Sequence, residues 1–125
     1  NKIRYQLIKA LHENGQGLLL GSDAPQVFNV PGFSIHHELE GMIQAGLTPL
    51  EAIQTGTINP AKFFNGNFGQ IKEGLDADLI LLEKNPLEDI KNLQNPLGVM
   101  ARGQWLDRKT IDKKLKEIAK LYSST

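Results

Sequence analysis

The run Gly17-Leu18-Leu19-Leu20-Gly21 constrains this chain most: it is apolar throughout, closed by glycine at both ends and followed at once by Ser22-Asp23-Ala24-Pro25. A strand with one wet face alternates apolar and polar residues, whereas a strand covered on both faces is continuously apolar, the pattern of parallel sheets. The run therefore predicts a short strand buried on both faces. Asp23 would then stand at its C-terminal end, where α/β barrels place their catalytic groups. Such a strand needs neighbours for its ladder groups and both apolar faces, because one isolated strand is not stable. In a chain of 125 residues the expected outcome is self-association through this edge, hence a homo-oligomer, or a rearrangement that packs the run elsewhere.

The segments around the run are mostly helical. Ile3, Leu7, Ala10 and Leu11 recur at helical spacing, and His12-Glu13-Asn14-Gly15 supplies a stop with glycine at the left-handed position. A loop broken by Pro31-Gly32 leads to Ile35, Leu39, Met42 and Ile43, one face of a second helix ending at Gly46. Thr48 as N-cap, Pro49 at the first helical position and Glu51 completing a capping box predict a third helix. Asn59-Pro60 repeats that device ahead of Phe63 and Phe64. After Gly66 the texture changes to turns and strands: Gly69, Gly74, the run Leu79-Ile80-Leu81-Leu82, and a hairpin from Val99-Met100-Ala101 through Arg102-Gly103 to Gln104-Trp105-Leu106. A boundary is placed at residues 65–67. Ile111, Leu115, Ile118 and Tyr122 predict a last helix capped by Thr110, and the six basic and three acidic charges from Asp107 to Thr125 read as a solvated face.

Composition removes several classes. Lys+Arg and Asp+Glu number 14 each, so the formal net charge is zero and there is no basic excess for binding nucleic acid. The chain has no cysteine, which excludes a disulfide framework, a thiolate nucleophile and a Cys-bearing zinc site. Any metal must rest on histidine and carboxylates. No apolar run approaches the roughly 20 residues of a membrane span, and the first residues carry no signal-peptide h-region. Because the chain begins with Asn1 rather than Met, that says little about compartment, and a cytoplasmic location is the working expectation.

Asp23 is the foremost candidate for chemistry, with two readings open: a catalytic carboxylate at a strand end, or a cap of the following turn, since Ser-Asp-x-Pro is ordinary turn chemistry. The paired-aspartate protease mechanism needs Asp followed by a small hydroxyl residue and Gly, twice, whereas Ala24 follows Asp23 here. His36 and His37 are neighbours, so on a helix they point about 100° apart and do not readily share one ion. His37-Glu38-Leu39-Glu40-Gly41 puts glycine where the helical zincin motif needs its second histidine. These two residues are expected to be solvent-facing or structural, and His12 to complement a helix C-terminus. Gly66, Gly69 and Gly74 lack the spacing of a phosphate-binding loop and read as turn formers, and Trp105 reads as a packing residue of the hairpin.

Five pieces in order resemble a known family: Gly21-Ser22-Asp23-Ala24 after the apolar run; Glu38-Leu39 on a helix; Ala45-Gly46-Leu47-Thr48-Pro49-Leu50-Glu51-Ala52-Ile53; Asn59-Pro60-Ala61; and Gly69-Gln70-Ile71 with Gly74-Leu75-Asp76-Ala77-Asp78-Leu79-Ile80. Over about residues 15–106 they resemble the C-terminal third of metal-dependent amidohydrolases, in the branch of imidazolonepropionase-like and Xaa-Pro dipeptidase-like enzymes. The resemblance implies an α/β fold, the C-terminal fragment of a (β/α)8 barrel with part of a small composite β-sandwich and a C-terminal helix. Residues 1–65 would be the last βα elements of the barrel, 66–108 the C-terminal strands of the sandwich, and 109–125 the helix. It implies that Asp23 corresponds to the eighth-strand aspartate, a metal ligand that takes the proton of the hydrolytic water. The implied cofactor is a divalent metal, zinc by family habit, as one or two ions. The implied substrates are small amides, cyclic amides or dipeptides cleaved at a C–N bond. The family's His-x-His on the first strand, its mid-barrel ligands and its two later histidines have no counterpart here, and a whole barrel takes about 200 residues or more. The expectation is a C-terminal part of a longer hydrolase, inactive by itself. The alternative is a non-catalytic α/β domain serving subunit contact.

Overall fold

A computed structural model describes residues 2–27 and 29–123. Asn1, Phe28 in the expected loop, and Ser124 and Thr125 at the end of the expected 109–125 segment lie outside the described residues. The elements are α1 (Lys2–Glu13), α2 (Ser34–Gln44), α3 (Pro49–Thr55), α4 (Ile58–Phe64), β1 (Leu79–Leu81), a 3₁₀ helix (Ile90–Leu93), β2 (Gly98–Ala101), β3 (Gln104–Asp107) and α5 (Arg108–Tyr122). No described helix is long and apolar enough to cross a membrane.

The helical half holds the core. Leu39 and Met42 from α2, Ala45 and Leu47 from the following turn, Ala52 from α3 and Ile90 from the 3₁₀ helix form one buried cluster, bordered by Tyr5, Ile8, Leu18, Leu20, Ile43, Ile53 and Leu93. α1 ends as its sequence predicts, with Gln16 N–H donating to the Leu11 carbonyl and Gly15 N–H to that of His12, both at 3.0 Å. Gly15 takes φ +72°, which the side-chain-free residue adopts without a Cβ penalty. The face of α1 that packs is not the apolar stripe of the sequence: Tyr5 and Ile8 meet the core, while Ile3 and Leu7 are 81% and 59% exposed. Polar contacts select that rotation, with Tyr5 Oη donating to Gln44 Oε1 at 2.8 Å and Arg4 pairing with Glu38 at 3.7 Å.

The β half is an antiparallel meander in the order β1-β2-β3, with Leu79 opposite Met100 and Met100 opposite Trp105. Arg102 and Gly103 both have positive φ, as the two-residue hairpin turn that matches strand twist requires. The Arg102 amide is held by Asp78 Oδ1 at 2.7 Å. Trp105 packs across Gly98, its diagonal neighbour on β2, where a Cβ would lie 2.1 Å from the indole ring, so the packing reading of this tryptophan requires glycine at that position.

Three expectations are corrected. Residues 17–21 form no strand, because no described strand pairs with them to build a ladder. They are covered on one face only, with Leu18 and Leu20 against the core and Leu19 39% exposed. Asn59 does not cap α4: it lies inside the helix, and Thr57 occupies the N-cap without a side-chain cap bond. α5 is capped by Asp107, whose Oδ1 accepts from Thr110 N–H at 2.8 Å, so the aspartate one turn earlier takes the role assigned to Thr110.

α3 begins with the complete capping box. Glu51 N–H donates to Thr48 Oγ1 at 3.3 Å and Thr48 N–H to Glu51 Oε2 at 2.8 Å. The Thr48 backbone and hydroxyl, with His12 as a further donor, hold the Glu51 carboxyl down at about 2 against an ordinary 4.5. The depressed value means that this stabilisation is complete above pH 4.5 and is lost as pH falls through about 2. Far-UV circular dichroism should show helix lost across that window, with Glu51→Gln flattening the acid dependence. Thr48→Ala should cost about 1 kcal/mol at neutral pH in chemical denaturation.

Candidate active site

The site is built outward from residues 17–21. Leu20 N–H donates to the Thr55 carbonyl at 2.9 Å, and Asn59 Nδ2 donates to the Leu18 carbonyl at 3.0 Å. The apolar run is thereby fixed along the α3–α4 junction. Gly56 allows the approach, since a Cβ there would stand 2.8 Å from Leu20 Cδ2.

Asp23 stands at the C-terminal end of the fixed run, exposed and at φ +54°. Aspartate is among the few residues that enter this region, and doing so costs roughly 1–2 kcal/mol against ordinary backbone. Its Oδ2 accepts from Gln26 Nε2. The loop is closed by Asn29, whose Nδ2 donates to the Ser22 carbonyl at 3.0 Å and whose N–H donates to the Gln26 carbonyl at 2.8 Å. Among the described residues Asp23 accepts from no backbone N–H, so Asn29 performs the turn closure. The loop then joins α2 through buried Ser34, whose hydroxyl donates to the Val30 carbonyl at 3.0 Å.

Among the described residues no hydrogen bond or ion pair joins a histidine to Asp23. His36 is half-buried on α2; burial lowers its pKa, Glu40 opposes that shift, and His37 adds to it. His37 is exposed beside a shallow cleft lined by Arg4, Tyr5 and Glu38. His12 occupies the last turn of α1, as its sequence position indicates, and its Nε2 is 3.1 Å from Glu51 Oε1. Among the described residues no three His, Asp or Glu side chains are grouped to hold a metal ion. The donor set therefore fits one carboxylate ligand and not a complete centre.

Four residues that carry the site escape a reading of the sequence: Gln26, Asn29, Thr55 and Asn59. Only Gln26 had a local signal, its i+3 spacing from Asp23 in a loop. The others act across 7 to 41 residues of chain, which no periodicity reveals.

Residues 2–106 match the model of the amidohydrolase family. The ochratoxinase of Aspergillus niger is 40% identical over 89 residues, 68% of this chain and 18% of that protein. The adenine deaminase of Methanothrix thermoacetophila is 32% identical over 80 residues, 62% of this chain and 14% of that protein. Among solved structures, a Xaa-Pro dipeptidase superposes with a TM-score of 0.72 at 29% identity, over 82% of this chain and 25% of that one. The A. niger ochratoxinase superposes with a TM-score of 0.71 at 33% identity, over 82% of this chain and 24% of that one. The chain thus spans less than a fifth of these sequence relatives and about a quarter of these structures.

The bond from Asn59 to Leu18 links residues 41 apart. Asn59→Ala should cost about 1 kcal/mol, the usual net worth of one hydrogen bond. It should also raise amide exchange at Leu20 relative to the α2 amides, measured by native-state hydrogen exchange.

Proposed function

The chain belongs to the amidohydrolase family, and from that premise we propose that it forms the C-terminal part of a longer, metal-dependent hydrolase that cleaves a C–N bond. The carrying observation is Asp23, a lone exposed carboxylate aimed from the end of an anchored apolar segment inside the matched region. In this reading residues 17–21 are the last strand of the barrel, their free edge and Leu19 meeting strands from elsewhere in the polypeptide. The surface supports it: the chain exposes 9567 Å² at 13.9 kDa, whereas a compact monomer of that mass exposes roughly 6,700 Å².

Asp23 supplies one ligand to a divalent ion, with Zn²⁺ as the proposed metal, and the other ligands come from outside these residues. When bound, the ion polarises the carbonyl and lowers the pKa of water toward neutrality. Asp23 takes the proton released as water adds to the carbonyl carbon and returns it to the leaving nitrogen as the C–N bond breaks. The proposed substrates are small amides, cyclic amides or dipeptides. Names among the relatives and neighbours, ochratoxinase, adenine deaminase and Xaa-Pro dipeptidase, support that breadth.

Two measurements test the proposal. The 125 residues alone should hydrolyse no amide above buffer with added Zn²⁺, since a catalytic zinc centre uses about three protein ligands; metal-dependent turnover by them would overturn it. In the full-length polypeptide Asp23→Asn should abolish turnover with the melting temperature retained, and near-normal rates would return Asp23 to a turn role.

A further inference from the structure

The last helix, α5, leaves most of its surface to solvent. It packs on β2 and β3, and its start is held by Arg108, whose Nη1 donates to the Pro96 carbonyl at 3.3 Å. Arg108, Thr110 and Ile111 are half-buried, no residue of the helix is buried, and every residue from Asp112 to Ser123 is exposed. So short a helical stretch is marginal in water by itself. α5 also lies beyond residue 106, the last of the family match.

The exposed stretch is patterned. Ile111, Leu115, Ile118 and Tyr122 follow steps of four, three and four residues, which at about 100° per residue confines them to an arc of about 60°. Lys109, Lys113, Lys116 and Lys120 repeat the same steps two residues out of phase, about 160° round the helix. So narrow an apolar seam suits one other helix, whereas a globular core takes a wider stripe. An anionic membrane requires lysines beside the seam, where their stems can snorkel. Here four of them lie behind it.

We propose that this seam is a self-association surface whose occupant is α5 of a second copy, lying antiparallel. Leu115 then faces Ile118 of the second copy, and Ile111 faces Tyr122 of the second copy. Asp112 and Lys114, which flank the seam, fall beside Ala119 and Leu121 of the second copy rather than beside like charges. Both lysine stripes point away from the contact, so pairing brings them no closer than the helices' own width. A parallel pair would instead oppose two Arg108 side chains, which occupy the seam seven residues before Leu115.

Size exclusion with light scattering on the full-length polypeptide tests this. The natural protein should be a dimer or a multiple of one. Leu115→Asp with Ile118→Asp should cut its mass to half or less, with near-ultraviolet circular dichroism retained. Leu115→Ala with Ile118→Ala keeps helix propensity and so guards against loss of α5 itself. It should raise the dissociation constant at least about tenfold, since each buried Leu or Ile contributes more than the free energy of one decade. Lys113→Glu with Lys116→Glu, on the far face, should leave the mass unchanged. A monomeric natural protein, an unchanged mass in both seam variants, or a mass lowered by the lysine variant alone would overturn the proposal. The second of these would assign the seam to the remainder of the same polypeptide, and a monomer that sediments with phosphatidylserine vesicles would assign it to a lipid surface.

Discussion

Two hydrogen bonds hold the apolar run in place, and the position of Asp23 at its end depends on them. A backbone without a sheet partner must satisfy its polar groups elsewhere. The last carbonyls of a helix have no partner within it. The Thr55 carbonyl ends α3 and accepts from Leu20 N–H, so two orphan groups satisfy each other. Asn59 adds the second tie from α4. Thr55 is itself locked, with its buried hydroxyl donating to the Ala52 carbonyl at 2.6 Å and lying 3.2 Å from the sulfur of Met42. The placement of the run thus traces back into the core around α2.

The helical and β halves are stabilised differently. Burial of Leu39, Met42, Leu47 and Ala52 secures the helices, and Ile90 carries the chain from the β half into that cluster. The meander relies on its ladder, its turn and α5, and Ile80 and Leu81 in β1 stay half exposed. Apolar side chains also stand outward at Ile3, Leu7, Phe63, Phe64 and Ile71. Phe63 and Phe64 meet edge to face, with ring centroids 4.9 Å apart. Exposed apolar patches are in general a mark of interaction surfaces, and these residues are in keeping with the proposed place of the chain within a longer hydrolase.

Left-handed backbone at Asp23 is in keeping with the role proposed for it. Non-glycine residues in that region persist where the surroundings over-determine them, and they cluster at functional sites. Here the constraint comes from the anchored run on one side and the Asn29 closure on the other. The other two such residues, Asn65 and Arg102, have local explanations, a helix C-cap and a two-residue hairpin turn.

The sequence by itself determined whatever local chemistry dictates. The capping box at Thr48 and Glu51, the stop at Gly15, the hairpin turn at Arg102-Gly103 and the helical spacing of Leu39 and Met42 each involve residues at most a few positions apart, where spacing and backbone preference decide the outcome. The ordered motifs around Asp23 also carried the family. Tertiary structure alone decided which face of α1 packs, that Asn59 serves Leu18 rather than its own helix, and that Leu20 pairs with the Thr55 carbonyl. Each of those is a choice among several chemically adequate partners. It is settled by which groups the packed chain brings within hydrogen-bond reach, and residues 17–21 show the same rule from the other side: an apolar run has the makings of a strand, but only a neighbouring backbone can make it one.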